Sequence, residues 1–287
     1  MLGGVRRELE FEGSRVRYRR FSNPGRPPLL LVHGGGGHGG WWSKVVPHLS
    51  PQFDLIVPDL SGNGDSDHRD TYSPELWAAE LAAIVRNEVT GAISYVGHSM
   101  GGLVGIYFAT RFARLTERLV LIDSGLREPA GKGLQPRGRE RRATKRYPSE
   151  DAALARFRLR PGDTTADPRL LEAVGRQGIR RVEGGWTWKF DPAASQRFTD
   201  RSLHDQLVLI DCPLGIVYGE KSEVVGPENV AYVQRRVGRP VPTIEIPEAY
   251  HHVPLDAPSE CAAAVEYLLQ ELGLTLRSPA EEGSSPA

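Results

Sequence analysis

The chain has 287 residues, 39% hydrophobic and 25% charged, which suits a globular protein with a sizeable core. Its two cysteines, Cys212 and Cys261, exclude a disulfide scaffold. Lys+Arg and Asp+Glu each number 36, and this balance argues against nucleic acid or an anionic membrane as partner.

Met1 to Glu12 has no apolar stretch of the kind a secretory leader carries. No segment approaches the roughly 20 apolar residues of a membrane span, so a cytoplasmic location is expected. Val16 and Tyr18 alternate with Arg15, Arg17 and Arg19, predicting an exposed strand that pairs with Val5–Phe11. Leu29–Val32 is a short unbroken apolar run, the pattern of a strand buried on both faces of a parallel sheet. The same pattern recurs at Leu55–Val57, Ile93–Val96, Leu119–Ile122, Leu214–Tyr218 and Thr243–Ile246. Helical patterns lie between most of these runs. Ser73-Pro74 is a helix start, with Leu76, Ala79 and Ala83 following at helical spacing, and a second pattern covers Leu103 to Phe112. Strands alternating with helices predict an α/β fold with a mostly parallel central sheet.

The alternation breaks after Asp123. From about Gly125 to Asp205 no buried strand is legible, only short amphipathic pieces, several prolines and the aromatics Trp186, Trp188 and Phe190. We read 1–124 and 206–276 as one core and 125–205 as a mainly helical cap at the carboxyl end of the sheet. The basic run 132–146 reads as a solvated segment, and the polar tail 277–287 as disordered.

Gly97-His98-Ser99-Met100-Gly101 matches G-x-S-x-G and lies between a predicted buried strand and a predicted helix. Such a turn strains the serine backbone and exposes its Oγ, while the helix N-terminus favours developing negative charge. A serine nucleophile needs a base. His251, in the loop after the last predicted strand, is the candidate, with His252 beside it chemically equivalent. The base needs an orienting carboxylate. Glu223, in the loop after Leu214–Tyr218, is preferred over Glu220 and Asp123; all three keep the order serine, acid, histidine. His33, His38 and His48 match no metal-ligand spacing, and no cofactor is expected. Gly34-x-Gly36-x-x-Gly39, with Asp59 some twenty residues on, also spells a dinucleotide fingerprint. That reading leaves Ser99 and His251 unexplained.

The sequence of features, a His-Gly loop, G-x-S-x-G, an acid loop and a terminal histidine loop, resembles the α/β-hydrolase superfamily from about Val16 to Leu272. The resemblance implies oxyanion donors at the Gly35 and Met100 amides. It implies that Asp59 to Ser66 is a structural turn, with Asn63 where histidine is common. It favours His251 over His252, because Asp256 and Pro258 follow it at the family's spacing. Dehalogenase and epoxide-opening members use an aspartate nucleophile, which Ser99 argues against. The expected activity is hydrolysis of a small or medium acyl substrate, a carboxylic ester or lactone, through an acyl-enzyme. Thioester and C–C hydrolysis are alternatives, and a ligand receptor or a cofactor-independent lyase is the alternative of another class. Trp41, Trp186, Trp188 and Phe190 are candidate pocket residues, with cap core as the competing reading.

Overall fold

The computed structural model describes residues 2–126, 145–194 and 201–276. Most of the basic run 132–146 and the tail 277–287 lie outside them. The strands are β1 (Val5–Phe11), β2 (Ser14–Phe21), β3 (Pro28–Val32), β4 (Asp54–Pro58), β5 (Ile93–His98), β6 (Thr116–Ile122), β7 (Ile179–Val182), β8 (Gly185–Trp188), β9 (Leu214–Gly219) and β10 (Thr243–Ile246). The α-helices are α1 (Val46–Leu49), α2 (Pro74–Glu88), α3 (Met100–Arg111), α4 (Glu150–Leu154), α5 (Pro168–Gln177), α6 (Arg201–Leu207), α7 (Pro227–Val237), α8 (Val253–Asp256) and α9 (Pro258–Glu271). Among the described residues no helix is long and apolar enough to cross a membrane.

Eight strands form one sheet in the order β1-β2-β4-β3-β5-β6-β9-β10. From β4 to β10 every pairing is parallel; β1 and β2 add an antiparallel hairpin at one edge. The unbroken apolar runs are explained by two cores. Side chains alternate across a strand, so Leu30 and Val32 of β3 enter one core and Leu29 and Leu31 the other. Leu119 and Leu121 of β6 likewise oppose Val120 and Ile122. Helix α2 begins as its sequence predicts. Ser73 Oγ accepts the Leu76 amide hydrogen at 3.1 Å, Pro74 opens the first turn, and Trp77, Leu81, Ile84 and Val85 are buried against the sheet. Burying each such side chain contributes about 2 kcal/mol.

The segment between β6 and β9 differs in one respect from its sequence reading. It carries α4, α5 and α6, but also the antiparallel hairpin β7–β8. Its turn uses Gly184 with φ +77°, a conformation that side chains other than glycine's disfavour. Adjacent Arg180 and Arg181 in β7 mask the period of two, because both lie exposed. This segment is tied to the rest of the fold by polar contacts. The His38 ring nitrogen Nε2 donates to Val174 O at 3.1 Å, and Tyr72 Oη donates to Asp191 at 3.0 Å. Asp256 accepts the Thr165 amide at 3.1 Å and the Thr164 hydroxyl. Trp41 packs with Leu159, Ala166, Leu170 and Val174 in a small core of its own.

Candidate active site

Ser99 joins β5 to α3 and holds φ +52° and ψ −119°. That strained backbone requires close neighbours without side chains. A Cβ on Gly97 would lie 2.4 Å from Gly101 O, and one on Gly101 would lie 2.5 Å from His33 O. Glycine at both positions therefore lets the turn close over β3 and the start of α3. The Ser99 amide donates to Ile122 O at 2.8 Å, which locks the turn to the carboxyl end of β6.

Two loops bring their side chains to Ser99. His251 lies after β10, with Nε2 3.1 Å from Ser99 Oγ and Nδ1 2.7 Å from Asp123 Oδ1. Asp123 follows β6 directly, holds φ +45° and is fully buried. Its Oδ2 accepts the Gly219 amide at 3.0 Å, and its Oδ1 also accepts the Ser222 hydroxyl at 2.7 Å. A carboxylate can only accept, so the His251 proton is on Nδ1 and the Nε2 lone pair faces the serine hydroxyl. The arrangement can remove the Ser99 proton and stabilise the imidazolium that results.

A family model described as "Alpha/beta hydrolase family" matches residues 29–264. The chain belongs to the alpha/beta hydrolase family. It is 31% identical over 186 residues to the esterase Rv0045c of Mycobacterium tuberculosis, a match covering 62% of this chain and 61% of that protein. It is 36% identical over 97 residues to a soluble epoxide hydrolase of a Corynebacterium, covering 33% of this chain and 34% of that protein. The chain thus spans less than two thirds of the curated relatives named here. Among solved structures, a thioesterase domain from the curacin biosynthetic pathway superposes with TM-score 0.78 at 21% identity, covering 93% of this chain and 99% of that one. The Rv0045c structure superposes with TM-score 0.71 at 24% identity, covering 93% and 91%.

Within this α/β hydrolase, the expectation for the acid is corrected. Asp123, not Glu223, meets His251. The loop after β9 turns Ser222 inward to Asp123 and leaves Glu223 exposed. Glu220 instead accepts the Glu248 amide at 2.8 Å. The signal for Asp123 was its place directly after a strand that neighbours the serine strand, with a short polar residue at positive φ. Gly35 and Met100 lie side by side, since a Cβ on Gly35 would sit 3.5 Å from Met100 Sδ. Met100 is the first residue of α3, where an amide has no carbonyl partner in its own helix.

Of the four pocket candidates, the structure brings Trp41 to the site's edge, 5.4 Å from the His252 ring and 6.2 Å from that of His98. The contacts of the other three lie within their own segment. Trp188 packs on Phe157 at 5.9 Å and on Phe190 at 6.5 Å, and Trp186 pairs with Tyr147 and lines a groove of about 780 Å³ with Pro148 and Arg181. Trp186 and Trp188 share the half-buried face of β8, while Thr187 between them is buried. Three amides of the glycine loop are engaged: Gly37 donates to Gly34 O, Gly39 to Asp59 and Gly40 to His38. Asp59 also accepts the Asp65 amide at 2.8 Å, so the turn after β4 braces this loop. A dinucleotide phosphate needs those donors free.

Burial pushes the His33 and His252 imidazoles down to about 4, and holds His98 well below the ordinary range. In the unfolded chain such rings gain a proton near 6.5. As pH falls through that value the unfolded state binds more protons than the folded one, so stability falls until the folded values are reached. The thermal midpoint is expected to drop between about pH 7 and about pH 5, above the carboxylate range. A flat midpoint across that window would mean that these rings are not held neutral.

Proposed function

We propose that this α/β hydrolase is a serine esterase that cleaves a small or medium carboxylic ester or lactone through an acyl-enzyme. The observation that carries the reading is the Ser99–His251–Asp123 relay, at 3.1 Å and 2.7 Å. Ser99 Oγ attacks the carbonyl carbon as its proton passes to His251 Nε2. The Gly35 and Met100 amides receive the negative charge on the carbonyl oxygen, each contributing about 3 kcal/mol in the transition state. The imidazolium then protonates the leaving alkoxide. Water, deprotonated by His251, releases the acid and restores Ser99.

The identity to an esterase supports an ester over a thioester or a C–C bond. Epoxide opening is disfavoured on chemical grounds. A serine that opened an epoxide would be left as an ether, with no carbonyl for water to attack. Carbonyl substrates avoid that dead end.

The test is labelling with a fluorophosphonate probe together with a panel of p-nitrophenyl acyl esters of increasing chain length. One probe per chain and turnover of at least one ester are expected, each blocked by the other reagent. Absence of labelling would overturn the nucleophile. Labelling without turnover of any ester would favour the receptor reading.

A further inference from the structure

The relay requires His251 to meet Ser99 and Asp123 at once, yet His251 lies in the loop between β10 and α8, outside any helix or strand. Two side chains hold the main chain there. His98 Nε2 donates to His251 O at 2.9 Å. The Tyr250 amide, one residue before the base, donates to Asp256 Oδ2 at 3.0 Å. Asp256 is itself anchored, since its own amide donates to His252 O at 2.9 Å. One carboxylate thus staples the chain from 250 to 256, with the base inside the loop it closes.

The other oxygen of Asp256 faces the segment between β6 and β9. Oδ1 accepts the Thr165 amide at 3.1 Å and the Thr164 hydroxyl. Thr164 Oγ1 in turn accepts the Ala166 amide at 3.1 Å. His252 Nε2 donates to Pro161 O at 3.0 Å, and Leu255 packs with Leu159 and Ala166 in the small core that holds Trp41. Residues 159–166 lie between α4 and α5, so these contacts, and no helix or sheet ladder, fix their place. Asp256 is half-buried, and burial pushes its carboxyl above the ordinary carboxylate range while its donors pull it back. A carboxylate out of water needs its donors. If residues 159–166 withdraw, Oδ1 loses two of them. The carboxylate then turns to water for partners, and the Tyr250 amide loses its acceptor.

We propose that Asp256 is a positioning residue that couples the seating of residues 159–166 to the placement of the base, His251. It acts through the Tyr250 amide and not on the reacting atoms. With 159–166 seated, Tyr250 is held and His251 spans Ser99 and Asp123. With them displaced, the base loop slackens and Ser99 loses its proton acceptor. The effect on turnover rests on the esterase reading above; the effect on the His251 ring does not.

The test compares Asp256→Asn, Thr164→Val and the double variant in the full chain. Asparagine fits the same space, but its amide nitrogen must face the Tyr250 or the Thr165 amide, donor against donor. Thr164→Val keeps the shape and removes one donor, on the far side of the carboxylate from the base. For a p-nitrophenyl ester, kcat should fall at least about tenfold in Asp256→Asn and about threefold in Thr164→Val, with KM within about threefold of wild type. The double variant should lie within about twofold of Asp256→Asn, because both changes break one link. Proton NMR reads the ring directly. The His251 Nδ1 proton on Asp123 should give a far-downfield line in wild type, broadened or lost in Asp256→Asn and in Thr164→Val and kept in Glu223→Gln. A residue that only supports the fold would lower the thermal midpoint and leave the line and kcat alone. An unchanged line and rate in Asp256→Asn would overturn the positioning role. An unchanged line and rate in Thr164→Val, or losses that multiply in the double variant, would overturn the coupling. Thr164→Val leaves every group of the base loop in place, so it decides the matter if Asp256→Asn does not fold. If wild type turns over no ester, the esterase reading fails and the NMR line still decides the positioning.

Discussion

Alanine at position 99 should lower kcat for ester hydrolysis by about 10⁶-fold, the scale seen when a triad nucleophile is deleted. The loss follows from the geometry. Ser99 Oγ is the atom 3.1 Å from His251 Nε2, and without it no covalent intermediate can form. A residual rate of about 10³ over water should persist, supplied by substrate binding and the oxyanion donors. The measurement is steady-state turnover of the preferred p-nitrophenyl ester, with the pre-steady-state burst as a second readout; the burst should vanish. A residual rate within tenfold of wild type would overturn the assignment of Ser99. A companion effect concerns stability. Ser99 sits at φ +52°, where alanine is strained and glycine is not. Ser99→Gly should therefore unfold at a higher temperature than Ser99→Ala, though both lack the nucleophile. The reverse order would mean that the turn stores no strain.

Much of this architecture was legible because buried parallel strands write themselves as short apolar runs. All six such runs are strands of the central sheet, and the early Arg-alternating segment is its antiparallel hairpin partner. Ser99 and His251 were legible because each sits next to a strand end, where local pattern places a residue well. The acid was not, because choosing it requires the order of strands across the sheet. Chain order admits all three acids, and Glu223 was preferred because it lies in the loop that the resemblance reads as the acid loop. In space β6 lies between β5 and β9, so the residue leaving β6 is one strand nearer the serine. The β7–β8 hairpin was hidden by the adjacent exposed arginines of β7, which break the period of two. The contacts of the aromatics were not legible for a related reason. Composition shows that Trp186, Trp188 and Phe190 cluster, but Phe157, the partner of Trp188, lies about thirty residues away in sequence, and only the fold joins them.

The competition between acids gives the other large effect. Asp123→Asn should lower kcat by about 10⁴-fold, whereas Glu223→Gln should stay within about twofold of wild type. Asparagine fits the same space, so the fold has no reason to change. Its carbonyl oxygen can still accept from the Gly219 amide, which wild-type Oδ2 does at 3.0 Å. The amide nitrogen then faces His251 Nδ1, and two donors cannot share one bond. The imidazole relieves the conflict by moving its proton to Nε2. That hydrogen now points at Ser99 Oγ, and the lone pair that should take the serine proton is gone. Ser222 sharpens the asymmetry, because its hydroxyl donates to the same Oδ1 that receives His251 and would also meet an amide nitrogen. Glu223 is exposed, and its neutralisation changes only a distant, screened charge. Turnover of one ester by the two variants, with fluorophosphonate labelling rates alongside, decides the matter. Equal losses at positions 123 and 223 would overturn the assignment of Asp123, since an exposed glutamate acts on His251 only if the loop after β9 refolds on substrate binding.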